Sequence, residues 1–527
     1  MPDLSTPRLV RLVLVLALGA AGCASPGGPR TDVDALVHEA TIAGLQAALR
    51  EGRVRCTELV DAYLARIEAY DASTGLGAIT EVNPRARERA AALDARLAAG
   101  ATPGPLFCAP LLVKDNFDTA TLPTTGGSVA LAGSVPPDDA FQLRRLREAG
   151  AIVLAKTNMA EWAFSPRQTV SSSYGRTANA YALDRVPAGS SGGTASGVAA
   201  SFGVAGLGSD TGNSIRGPSS HLALFGIRST LGLTSRDGII PLVFDRDVGG
   251  PMTRTVEDGA RLFDVIAGTD PADPYTAEAD ARREPSYLDR LRRDGLAGHR
   301  IGVLRALVPP DTDPEVAALF EAALRQLAAA GATIVDPVAI ADFEAHLAAD
   351  NFCNRFRHDV AVYLDSLDDP PLRDVAALVG TDRVAPENAE ALAFFAGGPL
   401  AAPSAWEPPC PEYADHPGRQ AFLAAVTEAM DAAGVDALAY PSWTHPPAHL
   451  DRADEEYRGD NSQRVAPATG MPAVTVPMGF TRAGTLPAGL QLLGRRWDDG
   501  LLIQFAYAYE QATRHRRPPP AFPPLVR

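Results

Sequence analysis

Gly189–Ser219 reads GSSGGTASGVAASFGVAGLGSDTGNSIRGPS. Two glycine-rich, serine-bearing turns flank a small-residue segment. Ser190-Ser191-Gly192-Gly193 leads into an Ala-rich run that predicts a helix. Val204 to Leu207 predicts a short buried strand, and Asp210-Thr211-Gly212-Asn213-Ser214 a second tight turn. Glycine at a turn leaves no Cβ to keep a ligand away from backbone N–H groups. A serine among converging N–H groups suits a nucleophile beside an oxyanion hole. On composition alone, a GSSGG run is a flexible linker or an ordinary loop. Two features argue otherwise here. A buried-looking helix and strand follow the run, and another apolar run, Leu111-Leu112-Val113, ends on Lys114 just before Asp115-Asn116. A lysine at the end of a buried strand can be desolvated, which favours its neutral form and makes it a candidate base. The requirement is steep: with an ordinary pKa of about 10.4, only about 0.04% of a lysine is neutral at pH 7.

Lys114 in LLVKDN, Ser190 in GSSGG and Ser214 in GSDTGNSIRGPS together resemble the Ser-Ser-Lys triad of the amidase signature hydrolases. The likeness runs from about Thr41 to about Pro518 and includes GPMTRTVED (Gly250–Asp258), GMPAVTVPMG (Gly470–Gly479) and GLQLLG (Gly489–Gly494). It implies one large α/β domain over residues 38–518, with a central mixed β-sheet covered by helices on both faces. It also implies a proton relay in which Lys114 takes a proton from Ser190, Ser190 takes one from Ser214, and Ser214 attacks an amide carbonyl. The backbone N–H groups of Thr211, Gly212, Asn213 and Ser214 would hold the oxyanion, and a cis peptide would precede Ser190. Ser191, Asp210 and Arg216 read as supports that orient the turns, with a purely structural ion pair as the alternative for Asp210 and Arg216. This chemistry calls for no cofactor and no metal. Asn213 departs from the family, which more often has glycine there. Asn tolerates left-handed backbone, and its side chain is expected to narrow the site.

Residues 341–430 match the family least specifically, and the resemblance places the wall of the substrate pocket there. The pocket is expected to be mainly apolar, with Phe352, Phe356 and Tyr363 setting its size; the alternative is that these rings are only core. Elsewhere the pattern is scaffold. Thr41 predicts a helix cap ahead of Ile42, Leu45 and Leu49, Thr57 starts a second helix, and Asn83-Pro84 opens a third. Ala151–Ala155, Val435–Ala439, Ala473–Val476 and Leu490–Leu493 predict buried strands. They alternate with helices such as Thr255–Ala267 and Pro314–Ala330, an α/β pattern. His445 and His449 have the spacing of a helical metal pair, but Pro446 and Pro447 between them predict a loop. His221 follows Ser214 closely, yet no GxSxG elbow surrounds that serine.

The chain has 527 residues, 46% hydrophobic and 21% charged, enough to bury a substantial core. A net charge of −15 argues against a nucleic-acid partner. Arg8 and Arg11, the apolar run Leu12–Leu18 and Ala20-Ala21-Gly22-Cys23 resemble a bacterial lipoprotein signal. That predicts a signal over residues 1–22, a lipid anchor to a membrane at Cys23, a tether over 23–37 and export to the cell envelope. Simple secretion, with Cys23 incidental, is the alternative. Residues 519–527 read as a tail. Cys56, Cys108, Cys353 and Cys410 allow three pairings into two disulfides. Cys353 with Cys410 is favoured, and free buried thiols are the alternative. The expected function is hydrolysis of a small carboxamide or N-acyl amine. Two other readings remain: a non-catalytic envelope scaffold on the same fold, and the glutaminase component of a tRNA-dependent amidotransferase, against which the export signal argues.

Overall fold

The computed structural model describes residues 32–349 and 352–526. The expected signal segment, Cys23 and most of the tether lie outside the described residues. The strands, in chain order, are β1 (Ile79–Val82), β2 (Pro110–Lys114), β3 (Ile152–Thr157), β4 (Val170–Ser171), β5 (Gly175–Arg176), β6 (Ala205–Asp210), β7 (Phe225–Arg228), β8 (Val248–Thr253), β9 (Arg300–Val303), β10 (Thr333–Val335), β11 (Ala437–Pro441), β12 (Ala473–Thr481) and β13 (Leu486–Leu493). Apart from the small β4–β5 ribbon, they form one 11-stranded sheet in the order β1-β3-β2-β6-β8-β7-β12-β13-β11-β9-β10.

The sheet is mixed. β3, β2 and β6 run parallel, as do β11, β9 and β10, while β8, β7, β12 and β13 are joined to their neighbours antiparallel. The site-bearing strands β2 (PLLVK), β3 (IVLAKT) and β6 (AGLGSD) are buried along their whole length. Burial of every residue on a strand means that both sheet faces are covered, which is why these strands read as near-continuous apolar runs.

Local signals place the helices. Thr41 caps Ile42–Arg50 by accepting from the Gly44 N–H at 3.1 Å. Thr255 caps Val256–Ile266, and Asp313 with Pro314 starts Pro314–Ala329. The second helix begins at Cys56, one residue before the expected Thr57, because the Asp94 carboxylate takes the Cys56 and Thr57 N–H groups together.

The packed unit is wider than 38–518. Val33–Val37, expected in the tether, form a short helix with Val37 in the core. At the other end Phe522 is buried, and Arg66 donates to the carbonyls of Phe522 and Pro523. Two disulfides, Cys56–Cys108 and Cys353–Cys410, join the four cysteines of the described residues.

Within residues 341–430, Phe343, Phe422, Val426 and Met430 pack with Leu438 and Tyr440 of β11 and Leu493 of β13, while the stretch from Phe356 to Ala396 forms a separate cap. Phe343–Ala348, Phe356–Asp365, Ala389–Ala396 and Pro417–Ala433 are helices joined by turns. Phe356, Val360, Leu364, Val375 and Leu392 form an apolar cluster with Trp162 and Phe164, distinct from the main core.

Candidate active site

β2 and β6 are adjacent and parallel, so Lys114 at the end of one strand comes beside Ser209 and Asp210 at the end of the other. The strand β6 extends to Asp210, and the second turn therefore starts at Thr211 rather than Asp210. The first turn precedes the helix Gly192–Ala199 and carries Ser190 behind a cis Gly189–Ser190 peptide. The glycines of the two turns serve close packing: Gly189, Gly192 and Gly193 in the first and Gly212 in the second all have negative φ. A Cβ on Gly189 would run into the Ser165 and Gln168 carbonyls, and one on Gly193 into the backbone of Asn158.

Lys114 is fully buried and its Nζ lies 2.7 Å from Ser190 Oγ, 2.8 Å from Ser209 Oγ and 3.3 Å from the Ser209 carbonyl. Asn116 Nδ2 donates to the same Ser209 hydroxyl at 2.9 Å. Burial pulls the Lys114 ammonium down to about 7, against the opposing pull of Asp210 and Asp247. About half of the lysine is then neutral near pH 7.

Asp210 anchors the second turn. It accepts from the Ile215 N–H at 3.0 Å, from Arg216 Nε and Nη2 at 3.1 Å each, and from Arg228 Nη1 at 2.9 Å. Burial by itself would raise this carboxyl, but the Arg216 and Arg228 guanidiniums outweigh it and hold the group well below the usual carboxylate range. Arg216 also donates to the Gly212 carbonyl at 2.6 Å, which fixes the turn from inside. Ser191 Oγ donates to the Ser209 carbonyl at 3.1 Å. Thr211 Oγ1 donates to Asp247, whose burial raises its carboxyl to about 6.

Thr211, Gly212, Asn213 and Ser214 line a cleft of about 160 Å³ together with Phe164, Val243, Phe352 and Phe395. Ser214 is thus at the surface of the cleft, while Ser190 and Lys114 lie beneath it. Among the described residues no hydrogen bond joins Ser190 to Ser214. Asn213 has negative φ, so left-handed tolerance is not what admits it. Its amide instead donates to Asp460 at 2.8 Å and to the Pro166 carbonyl at 3.3 Å, tying the turn to a distant loop. Asp460 also accepts from Tyr457 Oη at 3.1 Å and Gln463 Nε2 at 3.0 Å, and burial raises its carboxyl to about 7.

Arg246, Phe352 and Gln463 are shared with a larger cleft of about 650 Å³, also bounded by Tyr457, Arg458, Asp460 and Arg464. The expected apolar pocket is therefore apolar only near Ser214, and polar beyond it. Of the three expected wall rings, Phe352 alone lines the cleft. Phe356 is core, packed edge-on against Phe164 at 5.1 Å and Trp162 at 6.2 Å. Tyr363 is core as well, its hydroxyl donating to Asp118 at 2.8 Å.

Among the described residues, none of His221, His445 and His449 is hydrogen-bonded to Lys114, Ser190 or Ser214. His221 packs on Trp443 at 4.6 Å, and burial drives it down to about 3, so it stays neutral. His445 and His449 sit in a loop facing Thr444 and Glu456 respectively.

The sequence assigns no role to Ser209, Asn116, Arg228, Asp460, Gln463 or Phe395, although Asn116 stands in LLVKDN and Ser209 in GSDTGNSIRGPS. Only Ser209 carried a local signal, as a polar residue closing an otherwise small-residue strand directly before Asp210.

Residues 58–503 match the Amidase family model. The chain is 34% identical over 491 residues to a glutamyl-tRNA(Gln) amidotransferase subunit from Synechococcus sp. (strain CC9605), covering 90% of this chain and 97% of that protein. Among solved structures it is similar to the native peptide amidase from Stenotrophomonas maltophilia, with 36% identity and a TM-score of 0.80 over 91% of this chain and 98% of that one. It is also similar to the corresponding amidotransferase subunit from Thermotoga maritima, at 26% identity and TM-score 0.69, covering 90% and 95%. The chain belongs to the amidase signature family and is an amide-hydrolysing enzyme.

Proposed function

We propose that this protein is an exported amidase that hydrolyses a carboxamide through an acyl-enzyme on Ser214, with Ser190 and Lys114 as the proton relay. The observation that carries the reading is the fully buried Lys114 Nζ, 2.7 Å from Ser190 Oγ, with its pKa drawn down to about 7. In its neutral form the amine has a lone pair for the Ser190 proton, while its N–H groups face Ser209. Ser190 Oγ then takes the Ser214 proton as Ser214 Oγ bonds to the amide carbon. No hydrogen bond joins Ser190 to Ser214 among the described residues, and catalytic hydrogen bonds commonly tighten only in the complex. Backbone N–H groups of Thr211 to Ser214 stabilise the oxyanion. As the C–N bond breaks, Ser190 returns the proton to the leaving nitrogen and is reprotonated by Lys114. Water, deprotonated by the same relay, releases the acid.

The likeness to peptide amidase supports a peptide amide as substrate. The likeness to the amidotransferase subunits supports a second reading, a glutaminase within an amidotransferase. Two disulfides weigh against it, because such bonds persist in oxidising compartments rather than the cytosol. They also support export, as does the lipoprotein-type segment ending at Cys23, where a lipid anchor would attach. A non-catalytic scaffold would be under no constraint to keep Lys114, Ser190 and Ser214 together.

A fluorophosphonate probe should label Ser214 in the purified protein, and a panel of peptide amides should release ammonia. A protein that takes no label and turns over no amide would refute the enzyme mechanism. Mass spectrometry of the mature N-terminus should find lipid-modified Cys23; an unmodified start would replace anchoring with secretion.

A further inference from the structure

We propose that the larger cleft beyond Ser214 selects substrates bearing a carboxylate on the acyl side of the scissile amide, and that Arg458 and Arg464 recognise it. The inference rests on the amidase reading above and narrows its substrate class.

Three observations lead there. The first is position. The cleft of about 650 Å³ meets the catalytic cleft at Arg246, Phe352 and Gln463, so a molecule with its carbonyl at Ser214 extends into it. If the amide is a primary carboxamide, the leaving group is ammonia, which fills nothing; the volume then belongs to the acyl portion.

The second is charge. The chain has 48 Lys and Arg against 63 Asp and Glu, yet among the described residues this cleft is lined by three arginines and one carboxylate. That carboxylate, Asp460, is already engaged by Asn213, Tyr457 and Gln463. Its burial further favours the neutral form.

The third is availability. The Arg458 and Arg464 side chains are exposed and form no ion pair with any described residue. The arginine at the nearby rim differs: Arg167, over the Tyr457 ring at 5.4 Å, is paired to Asp454 at 2.6 Å. Arg246 holds its guanidinium over the Phe352 ring at 4.8 Å, at the junction of the two clefts. A guanidinium fork matches a carboxylate through two parallel hydrogen bonds, which suits recognition better than the point charge of a lysine would.

The test uses the full chain and N-acetylated peptide amides of one length, carrying Glu, Gln or Lys at one position at a time, with ammonia release as the readout. At its best position Glu should exceed Gln in kcat/KM by about tenfold, and the ratio should shrink with added salt. In R458Q/R464Q the Glu-to-Gln ratio should fall to about one. R458K/R464K should recover part of it, which a merely structural role would not produce. Melting temperatures should stay at the wild-type value because both side chains are exposed. A wild-type enzyme that prefers Gln or Lys, or a ratio that survives the double substitution, would overturn the proposal while leaving the amidase intact. If no amide is turned over, anisotropy of the same peptides, fluorescently labelled, still decides. Tighter binding of the Glu peptide that is lost in R458Q/R464Q supports the proposal, and equal binding overturns it.

Discussion

Around Lys114, Ser190 and Ser209 the side chains are buried, polar and hydrogen-bonded to one another, at the ends of the interior strands β2 and β6 and on the turn beside them. Across the cleft, Phe352 and Phe395 stand on a cap of helices and turns with its own apolar cluster and a Cys353–Cys410 staple. The first region positions atoms for bond-making to within a hydrogen bond's length, which demands rigid supports. The second only shapes a volume, and apolar fit discriminates weakly, by about 1–3 kcal/mol per methylene. The rigid polar cluster and the apolar cap thus meet at one cleft, where Phe352 and Phe395 line the wall together with Ser214.

Breaking the chemical side gives the largest effect. Ser214→Ala should remove acyl-enzyme formation and lower kcat/KM on the order of 10⁴-fold or more, with a fluorophosphonate probe no longer attaching. Lys114→Ala should harm amides more than matched esters, because an amine leaving group needs the delivered proton. Equal losses on both substrates would show that Lys114 does not deliver it.

Next come the supports of each region, read by denaturant unfolding. Asp210→Asn strips the carboxylate from two buried guanidiniums, Arg216 and Arg228; loss of one partner from a buried pair costs about 3–5 kcal/mol. Phe356→Ala should cost a similar amount, about 3–5 kcal/mol, by emptying the cap's core. The two should differ in kind: Asp210→Asn should also depress kcat, whereas Phe356→Ala should act on stability first. A stable Asp210→Asn protein with normal kcat would erase the distinction.

The pH profile sharpens the comparison. With Lys114 at about 7, kcat/KM should fall about tenfold per unit below pH 7 and level off above it. A Lys114 limb should persist in Asp460→Asn; a limb that vanishes there would belong to that carboxyl instead. Stability has its own sign. Below about pH 7 the lysine is charged in both states and its burial cost is felt in full. Between about 7 and its ordinary 10.5 only the unfolded chain holds the proton, so stability rises with pH across that window.

The smallest effect is on the wall. Phe352→Ala should change the ratio of kcat/KM between short and long acyl amides by severalfold, on the scale of one or two methylenes, with little change in melting temperature. If every substrate loses the same factor, Phe352 is no specificity wall.

Much of this was legible in advance, for local reasons. LLVK announces a buried strand ended by a lysine, Thr41 and Thr255 announce helix starts, and the two Gly-Ser turns announce tight turns that carry a serine. The readings that slipped did so where a distant residue intervened. Asp94 moved a helix start from Thr57 to Cys56, and Arg66, bonded to the Phe522 and Pro523 carbonyls, holds the tail where Phe522 enters the core. For Phe356 and Tyr363 the sequence leaves wall and core both open, because an aromatic at helical spacing looks the same whether it faces a core or a cleft, and the structure puts both in the core.

The sequence by itself determined the strands, the turns and the residue types the relay needs, because those depend on backbone conformation and periodicity over a few neighbours. Only the tertiary structure decided which polar groups would serve them. Asn213 meets Asp460 across 247 residues, Arg216 meets Gln491 across 275, and Lys114 meets Ser209 across 95. Such contacts are fixed by strand order and by the packing of the cap on the sheet, and no local pattern encodes either. The pull on Lys114 joins both levels: the strand supplies the lysine, and the burial that lowers its pKa exists only once β3 and β6 close in on either side.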